Sequence, residues 1–296
     1  MSPRLLRPIQ NTHPEAADWA NRVRTNGGSV SGSTLVAVSK FCRAIDAAGI
    51  RDRFYRLNLF CGASDASLNA VRTPLYRGQS RTGTQYGGTT DTNTGNLFQQ
   101  ADYAENNGLL GNTTTKWLNT GFNMNTAGLT VGSPGVHMSV VFPAYTHGAN
   151  QNTFPISATN AAVNERFWLN FRSNTVPNTD VQSVLGSGGS SLVTKTIAAT
   201  NGAAIPGGLW IVSRTTATDL KLYNGATEQA SNGNSVAFFS TPNNDMSIFT
   251  RWTGSTTFGH WGYRMRGYSV GLGMTAQQVS DFNNAMTTVQ TALGRT

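Results

Sequence analysis

Few residues in this chain could do chemistry. It carries four glutamates, Glu15, Glu105, Glu165 and Glu228. A glycosidase needs two carboxylates across the scissile bond, one held protonated and one ionised. None of the four has a second acid two residues away on the same strand face. The near pair Asp102 and Glu105 runs into Asn106-Asn107-Gly108, a loop signal. The histidines His13, His137, His147 and His260 form no HExxH, HxH or Cys/His cluster. Asp91–Gly95 (DTNTG) with Asp102 echoes an EF-hand loop. Its glycine is fifth rather than sixth, however, and Asp replaces the closing Glu, so an Asn/Thr-rich turn is preferred over a Ca²⁺ loop. There is no G-x-S-x-G elbow, and neither Cys42 nor Cys61 has a histidine beside it in sequence. The sequence therefore predicts no catalytic residue, no metal site and no cofactor, and points to binding rather than reaction.

Aromatic and charged residues offer binding chemistry instead. Trp252, His260, Trp261 and Tyr263 cluster among glycines around residues 253–262. An exposed indole can stack on a sugar face while an Asn/Thr/Ser rim bonds hydroxyls. Packing or a subunit contact is the preferred account of this cluster, with a glycan platform as the alternative. Trp117, Trp168 and Trp210 fall inside strand patterns and read as core.

The net charge of +8 is uneven. Residues 1–85 hold 12 Lys/Arg and 5 Asp/Glu (12 − 5 = +7), and the remainder hold 10 and 9 (10 − 9 = +1). Arg4, Arg7, Arg22, Arg24, Arg51, Arg53 and Arg56 could dock on an acidic partner surface through salt-sensitive attraction. A protein partner fits this better than nucleic acid.

The elements that must position these residues follow from periodicity and punctuation. Charged residues make up only 12% of the chain, about half the usual share, and Gly, Asn, Ser and Thr take their place. That composition suits a loop-rich β protein. Residues 1–12 read as an extended arm broken by Pro3 and Pro8. A helix starts near Pro14 and stops at Asn26-Gly27-Gly28. A second runs from Ser33 or Thr34 to Gly49 with Leu35, Val38, Cys42 and Ile45 on its apolar stripe, which makes Cys42 a packing residue. Residues 13–75 thus form a helical docking segment, ending in a strand-like run at 56–61. Residues 76–274 form the β body, with strands expected near 116–122, 136–142, 167–171, 191–197, 208–214, 219–223, 247–251 and 263–272. Tyr223-Asn224-Gly225 marks a hairpin, and Gly186–Ser191 a glycine-rich loop. Thr275 and Gln278 form a capping box opening a last helix over 275–296, packed on the body through Val279, Phe282, Met286, Val289 and Leu293. The first residues lack an apolar h-region, so no signal peptide is expected. No apolar run approaches a membrane span, and two cysteines suit free thiols better than a disulfide framework.

Several segments carry a resemblance. Lys116–Phe122 (KWLNTGF) resembles the YLDTG strand of LamG-like, concanavalin A-like jelly rolls, and His137–Val141 the strand after it. Ile211–Arg214 with Leu220–Gly225 resembles their paired hairpin, and Arg264–Gln278 their closing strand and final helix start. Asp18–Ser31 with Thr34-Leu35 and Ala48–Ile50 resembles a segment of tailed-bacteriophage structural proteins that precedes such a jelly roll. The resemblance implies an antiparallel β-sandwich with N-terminal helices and a C-terminal helix. It also implies a virion component made in the host cytoplasm: a capsid decoration, cement or head-neck fibre protein contacting other virion proteins, as a homo-oligomer and a trimer by family analogy. The chain lacks the repeats, heptads and shaft of a long tail fibre. The alternative is a glycan-binding host-recognition module.

Overall fold

A computed structural model describes residues 12–63, 68–130, 134–160, 165–173, 178–187, 192–200, 202–234 and 242–295. Its helices are α1 (Pro14–Thr25), α2 (Gly32–Ala47), the short α3 (Leu68–Val71) and α4 (Ala276–Ala292). Its principal strands are β1 (Phe54–Asn58), β2 (Thr92–Asn93), β3 (Leu118–Asn123), β4 (Val136–Phe142), β5 (Asn152–Thr159), β6 (Glu165–Ser173), β7 (Thr179–Ser187) and β8 (Leu192–Ala198). They continue as β9 (Gly208–Arg214), β10 (Leu220–Asn224), β11 (Thr227–Asn232), β12 (Asp245–Ile248), β13 (Arg251–Trp252), β14 (Thr257–Phe258) and β15 (Gly267–Gly271). A six-stranded sheet runs β1-β15-β4-β9-β10-β11 and a seven-stranded sheet β8-β7-β6-β5-β12-β3-β2. The pairings are antiparallel.

The two sheets face each other through large aromatics. Phe142 on β4 and Trp210 on β9 each meet Phe171 on β6, with ring centroids 5.2 and 5.7 Å apart. Alternation along β6 then sends Phe167, Leu169 and Phe171 inward and Trp168, Asn170 and Arg172 to the outer face. Helices cover the other side of the six-stranded sheet: Phe54 on β1 touches both His137 of β4 (5.7 Å) and Phe282 of α4 (4.9 Å). This is the expected antiparallel β-sandwich with helices at both ends of the chain.

The helices follow their sequence signals. Pro14 opens α1 and the Thr275/Gln278 capping box opens α4. Ser31 caps α2, slightly earlier than expected. The hairpin after Tyr223 forms, but Asn224 pairs with Thr227, so Gly225 and Ala226 are the central residues. Gly225 takes φ +59°, in keeping with a II′ turn led by glycine rather than the Asn-Gly I′ turn.

The expected division at residue 75 needs correction, because β1 belongs to the six-stranded sheet and the helices share one apolar cluster with both sheets. Both cysteines are free and buried. Arg4, Arg7, the arm to residue 11 and most of the 186–191 loop lie outside the described residues. Among the described residues no helix is long and apolar enough to cross a membrane.

Candidate functional site

Among the described residues the basic side chains do not form one docking patch. Arg56 is fully buried. It pairs with Asp91 at 2.7 Å and also donates to the Tyr268 hydroxyl and the carbonyls of Tyr86 and Gly88. Arg51 pairs with Glu15 at 2.7 Å and lies 3.7 Å over the Tyr76 ring. Arg22 holds Asp18 and the carbonyls of Pro74 and Leu75. Arg53 sits beside Asp52 and donates to the Gly273 carbonyl, and Arg24 alone of these five is exposed. Arg56 is therefore corrected from a docking residue to the centre of a buried polar cluster, and Arg51 and Arg22 spend their charge inside the fold. A charge sum over sequence cannot separate cations that face water from cations answering buried acids.

The carboxylates and histidines are similarly engaged. Asp91 sits in the Arg56 cluster, also accepting from Asn58 and Tyr268, and Asp102 pairs with Lys116 at 2.6 Å, so the two ends of the EF-hand-like stretch serve separate contacts. Glu105 accepts from the hydroxyls of Thr34 and Ser31. His13, Glu15 and Cys42 bring donor atoms within 4.8 Å of one another. Arg51 already neutralises Glu15, His13 Nε2 meets Asp46 at 2.8 Å, and burial pushes the Cys42 thiol up to about 12. This trio seats α1 on α2.

One buried group has the form of a nucleophile–base pair. His137 Nδ1 lies 2.7 Å from the Leu272 carbonyl, which can only accept, so Nδ1 carries the proton. Nε2 then accepts from Ser269 at 2.9 Å, and Ser269 accepts from Ser139 at 2.6 Å. His137 and Ser269 are both 0% exposed beneath Phe54 and α4, so the pair packs the sheet against the helices. Burial, opposed in part by the Leu272 carbonyl, lowers the His137 pKa to about 4. Between pH 6.5 and 4 the unfolded chain therefore binds a proton that the folded chain refuses. The stabilisation is full above 6.5 and is lost as pH falls through that window, by about 3 kcal/mol at roughly 1.4 kcal/mol per pH unit. Urea unfolding of wild type and His137→Gln at pH 7.5, 5.5 and 4.5 checks this: the stability gap should narrow as pH falls.

The 252–263 aromatics divide. Trp261 is 0% exposed and packs on Phe142 and Phe171 at 5.1 and 5.2 Å, in keeping with the preferred packing account and against the alternative of a glycan or subunit contact for this residue. Tyr263 lies against Tyr145 at 4.0 Å, and its hydroxyl donates to Gln151. His260 is 8% exposed and bridges Thr257 and the Lys116 carbonyl. Trp252 stacks on Trp117 at 5.3 Å, and both are half-buried rather than core.

What the same stretch does build is a cleft. The β13–β14 hairpin folds against β5, where the Phe154 N–H donates to the Gly259 carbonyl at 2.8 Å. Gly259 has φ +55°, and a Cβ there would come within 2.2 Å of the Asn152 carbonyl, so only glycine lets the hairpin sit so close. Between hairpin and strand lies a cavity of about 560 Å³ lined by Asn152, Phe154, Arg251, Thr253, Ser255, Thr256, Phe258 and Gly259. Arg251 lies 5.8 Å from the Phe154 ring and 5.9 Å from the Phe258 ring. Phe258 is 50% exposed, among the few large apolar side chains open to solvent in the described residues. Arg251 Nε is buried and has no hydrogen-bond partner among the described residues. Its pKa is lowered by burial first and by the positive charge of Arg166 second.

Beneath the cleft Phe154 meets Trp168 edge-on at 5.6 Å, and with Val184 they form an apolar cluster separate from the main core. Trp168 is thus buried on the outer face of the seven-stranded sheet, not between the sheets. Asn170 donates to the Asn152 amide oxygen at 2.5 Å and fixes its orientation. The cleft joins an open aromatic face, a half-buried guanidinium, and a rim of hydroxyl and amide groups. Sequence reasoning reached the hairpin but chose Trp252, His260, Trp261 and Tyr263 in place of Arg251 and Phe258. Phe154, remote in sequence, gave no local signal.

No family model matches the sequence, and a search of curated proteins finds no match. Several solved structures show a partial likeness. The CBM40 of a Ruminococcus gnavus IT-sialidase, bound to α2,6-sialyllactose, is 14% identical over 58% of this chain and 96% of its own, with a TM-score of 0.39. Domain 4 of a GH43 extracellular arabinanase from Geobacillus stearothermophilus, in complex with arabinotriose, is 15% identical over 58% of this chain and 74% of its own, with a TM-score of 0.37. A heptameric SAP-like pentraxin from Limulus polyphemus is 10% identical over 51% of this chain and 71% of its own, with a TM-score of 0.35.

Proposed function

We propose that this protein is a binding module that holds a saccharide in the cleft between the β13–β14 hairpin and β5. The observation that carries this reading is the half-exposed Phe258 ring beside the Arg251 guanidinium, above a rim supplied by Asn152, Ser255 and Thr256. Phe258 offers an apolar face to sugar C–H groups, Arg251 donates to a ring or exocyclic oxygen, and the rim completes the hydroxyl bonds. The cavity is large enough for one or two sugar units. This makes the glycan-binding alternative the better account of the site. The N-terminal resemblance adds a setting to the proposal: display of the module on a bacteriophage virion, among copies of itself or other virion proteins. Mass spectrometry of purified particles carrying the chain tests that setting, and its absence from the particles would remove it.

A glycan array followed by calorimetry with the best saccharide tests the binding role. Wild type should bind saturably, and Arg251→Ala and Phe258→Ala should each weaken binding about tenfold or more, the scale of one charge-assisted hydrogen bond at ~1.5–3 kcal/mol. Array silence, or unchanged affinity in both variants, would reject the site.

A further inference from the structure

A second cavity, of about 460 Å³, opens between α4 and the end of the six-stranded sheet, and neither the proposed saccharide cleft nor the sequence signals account for it. Its walls include the buried side chains of Val141, Leu209 and Met286. Asn224 from the β10–β11 turn and Asn283 and Thr287 from α4 contribute polar groups. Two arginines, Arg266 and Arg295, also line it, and no aspartate or glutamate does.

The two cations differ: Arg295 has the Glu105 carboxylate nearby, whereas Arg266 forms no ion pair among the described residues. Arg295, 2% exposed, donates to the carbonyls of Leu59, Phe60, Glu105 and Arg266 and to the Gln290 amide oxygen. Its charge is met by these dipoles and by the nearby Glu105 carboxylate. Arg266 is half-buried, gives one N–H to the Arg295 carbonyl, and leaves Nε without a partner among the described residues. Burial lowers the Arg266 pKa, and the neighbouring Arg295 charge lowers it further. Arg266 is thus a cation beside a like charge in a partly desolvated place, which favours a bound anion, and a planar guanidinium suits a carboxylate or sulfonate.

We propose that this cleft binds a small amphipathic anion, with its acidic head on Arg266 and its apolar body against Val141, Leu209 and Met286. The size is that of a typical small-molecule site, and the acid-free lining selects the sign of the head group. The proposal is independent of the saccharide reading, since it uses a different cavity on the opposite sheet.

Fluorescence titration of the full chain at neutral pH and low salt, with 8-anilinonaphthalene-1-sulfonate as probe, tests it. The uncharged N-phenyl-1-naphthylamine has the same aromatic body and serves as its counterpart. The sulfonate should bind saturably, and the uncharged probe about tenfold more weakly, as expected on losing a charge-assisted contact. Arg266→Gln should weaken the sulfonate by a similar factor. Thr287→Trp, an exposed position whose enlargement fills the cleft, should abolish binding while thermal unfolding stays cooperative. Absence of saturable binding to wild type, equal affinity for the two probes, or unchanged binding in either variant would overturn the proposal.

Discussion

Replacing Arg56 by Leu should destabilise the protein by about 3–5 kcal/mol, because it leaves the Asp91 carboxylate buried without its cation. Both side chains are 0% exposed and 2.7 Å apart. Asp91 would keep the Asn58 amide and the Tyr268 hydroxyl, two neutral donors that cannot balance a charge in so dry a place. The guanidinium also ties down the carbonyls of Tyr86 and Gly88, so the chain leading to β2 should loosen as well. Asp91→Asn should cost a similar amount by stranding Arg56. Changing both together to apolar residues should recover part of the loss, since no isolated charge then remains. Urea unfolding measures this as a lower midpoint at an unchanged slope. A shift of under about 1 kcal/mol in both single variants would mean that water reaches the pair, as for exposed ion pairs.

Trp261→Ala should cost about as much, ~3–5 kcal/mol, the range for emptying a large aromatic site. The indole packs among Phe142, Phe171, Tyr145 and Tyr263, with centroids 5.0 to 5.3 Å away. This residue joins the seven-stranded sheet, the six-stranded sheet and the loop after the hairpin. Its substitution therefore tests the interior of the sandwich, and any loss of saccharide binding should track the unfolded fraction. Phe258→Ala should behave in the opposite way, lowering affinity with little change in the unfolding midpoint. Thermal unfolding and calorimetry on the two variants separate these outcomes. A stable Trp261→Ala protein would show that the indole is not held as described.

Elements whose signals are local were legible in the sequence. The Thr275/Gln278 box and the apolar face from Val279 to Leu293 specify α4 without reference to anything distant, and Pro14 does the same for α1. Strands that read as apolar runs between turn residues, such as β4 and β9, were found within a residue or two, and both are buried on both faces. β5 and β7 were missed, and both break the alternation rule for a physical reason. β5 contains Pro155 in a register shift between Thr153 and Ile156, where the missing N–H is tolerated. β7 turns Ser183 inward, bonded to the Trp168 carbonyl, and Val184 outward into the small cluster with Phe154. That outward apolar patch is what the hairpin covers, so the strand's pattern makes sense only once the hairpin is in place.

The cleft was half legible for the same reason. Glycine-spaced aromatics at 252–263 marked a place where the chain bends and presents rings. Which ring faces water depends on the docking of Gly259 against Asn152 and Phe154, a contact about a hundred residues distant in sequence. The basic N-terminal part misled because charge is counted by composition but used by geometry: Arg56 and Arg51 answer Asp91 and Glu15 inside the fold.

The central claim is that the outer face of the seven-stranded sheet, at the β13–β14 hairpin, is the binding surface. Backbone amide chemical-shift mapping during titration with the best array saccharide tests it most directly. The account predicts the largest shifts at residues 152–154 and 251–259, with residues along α4 unmoved. Saturable shifts confined to α4 and the 207–209 turn, or scattered over both sheets, would contradict it.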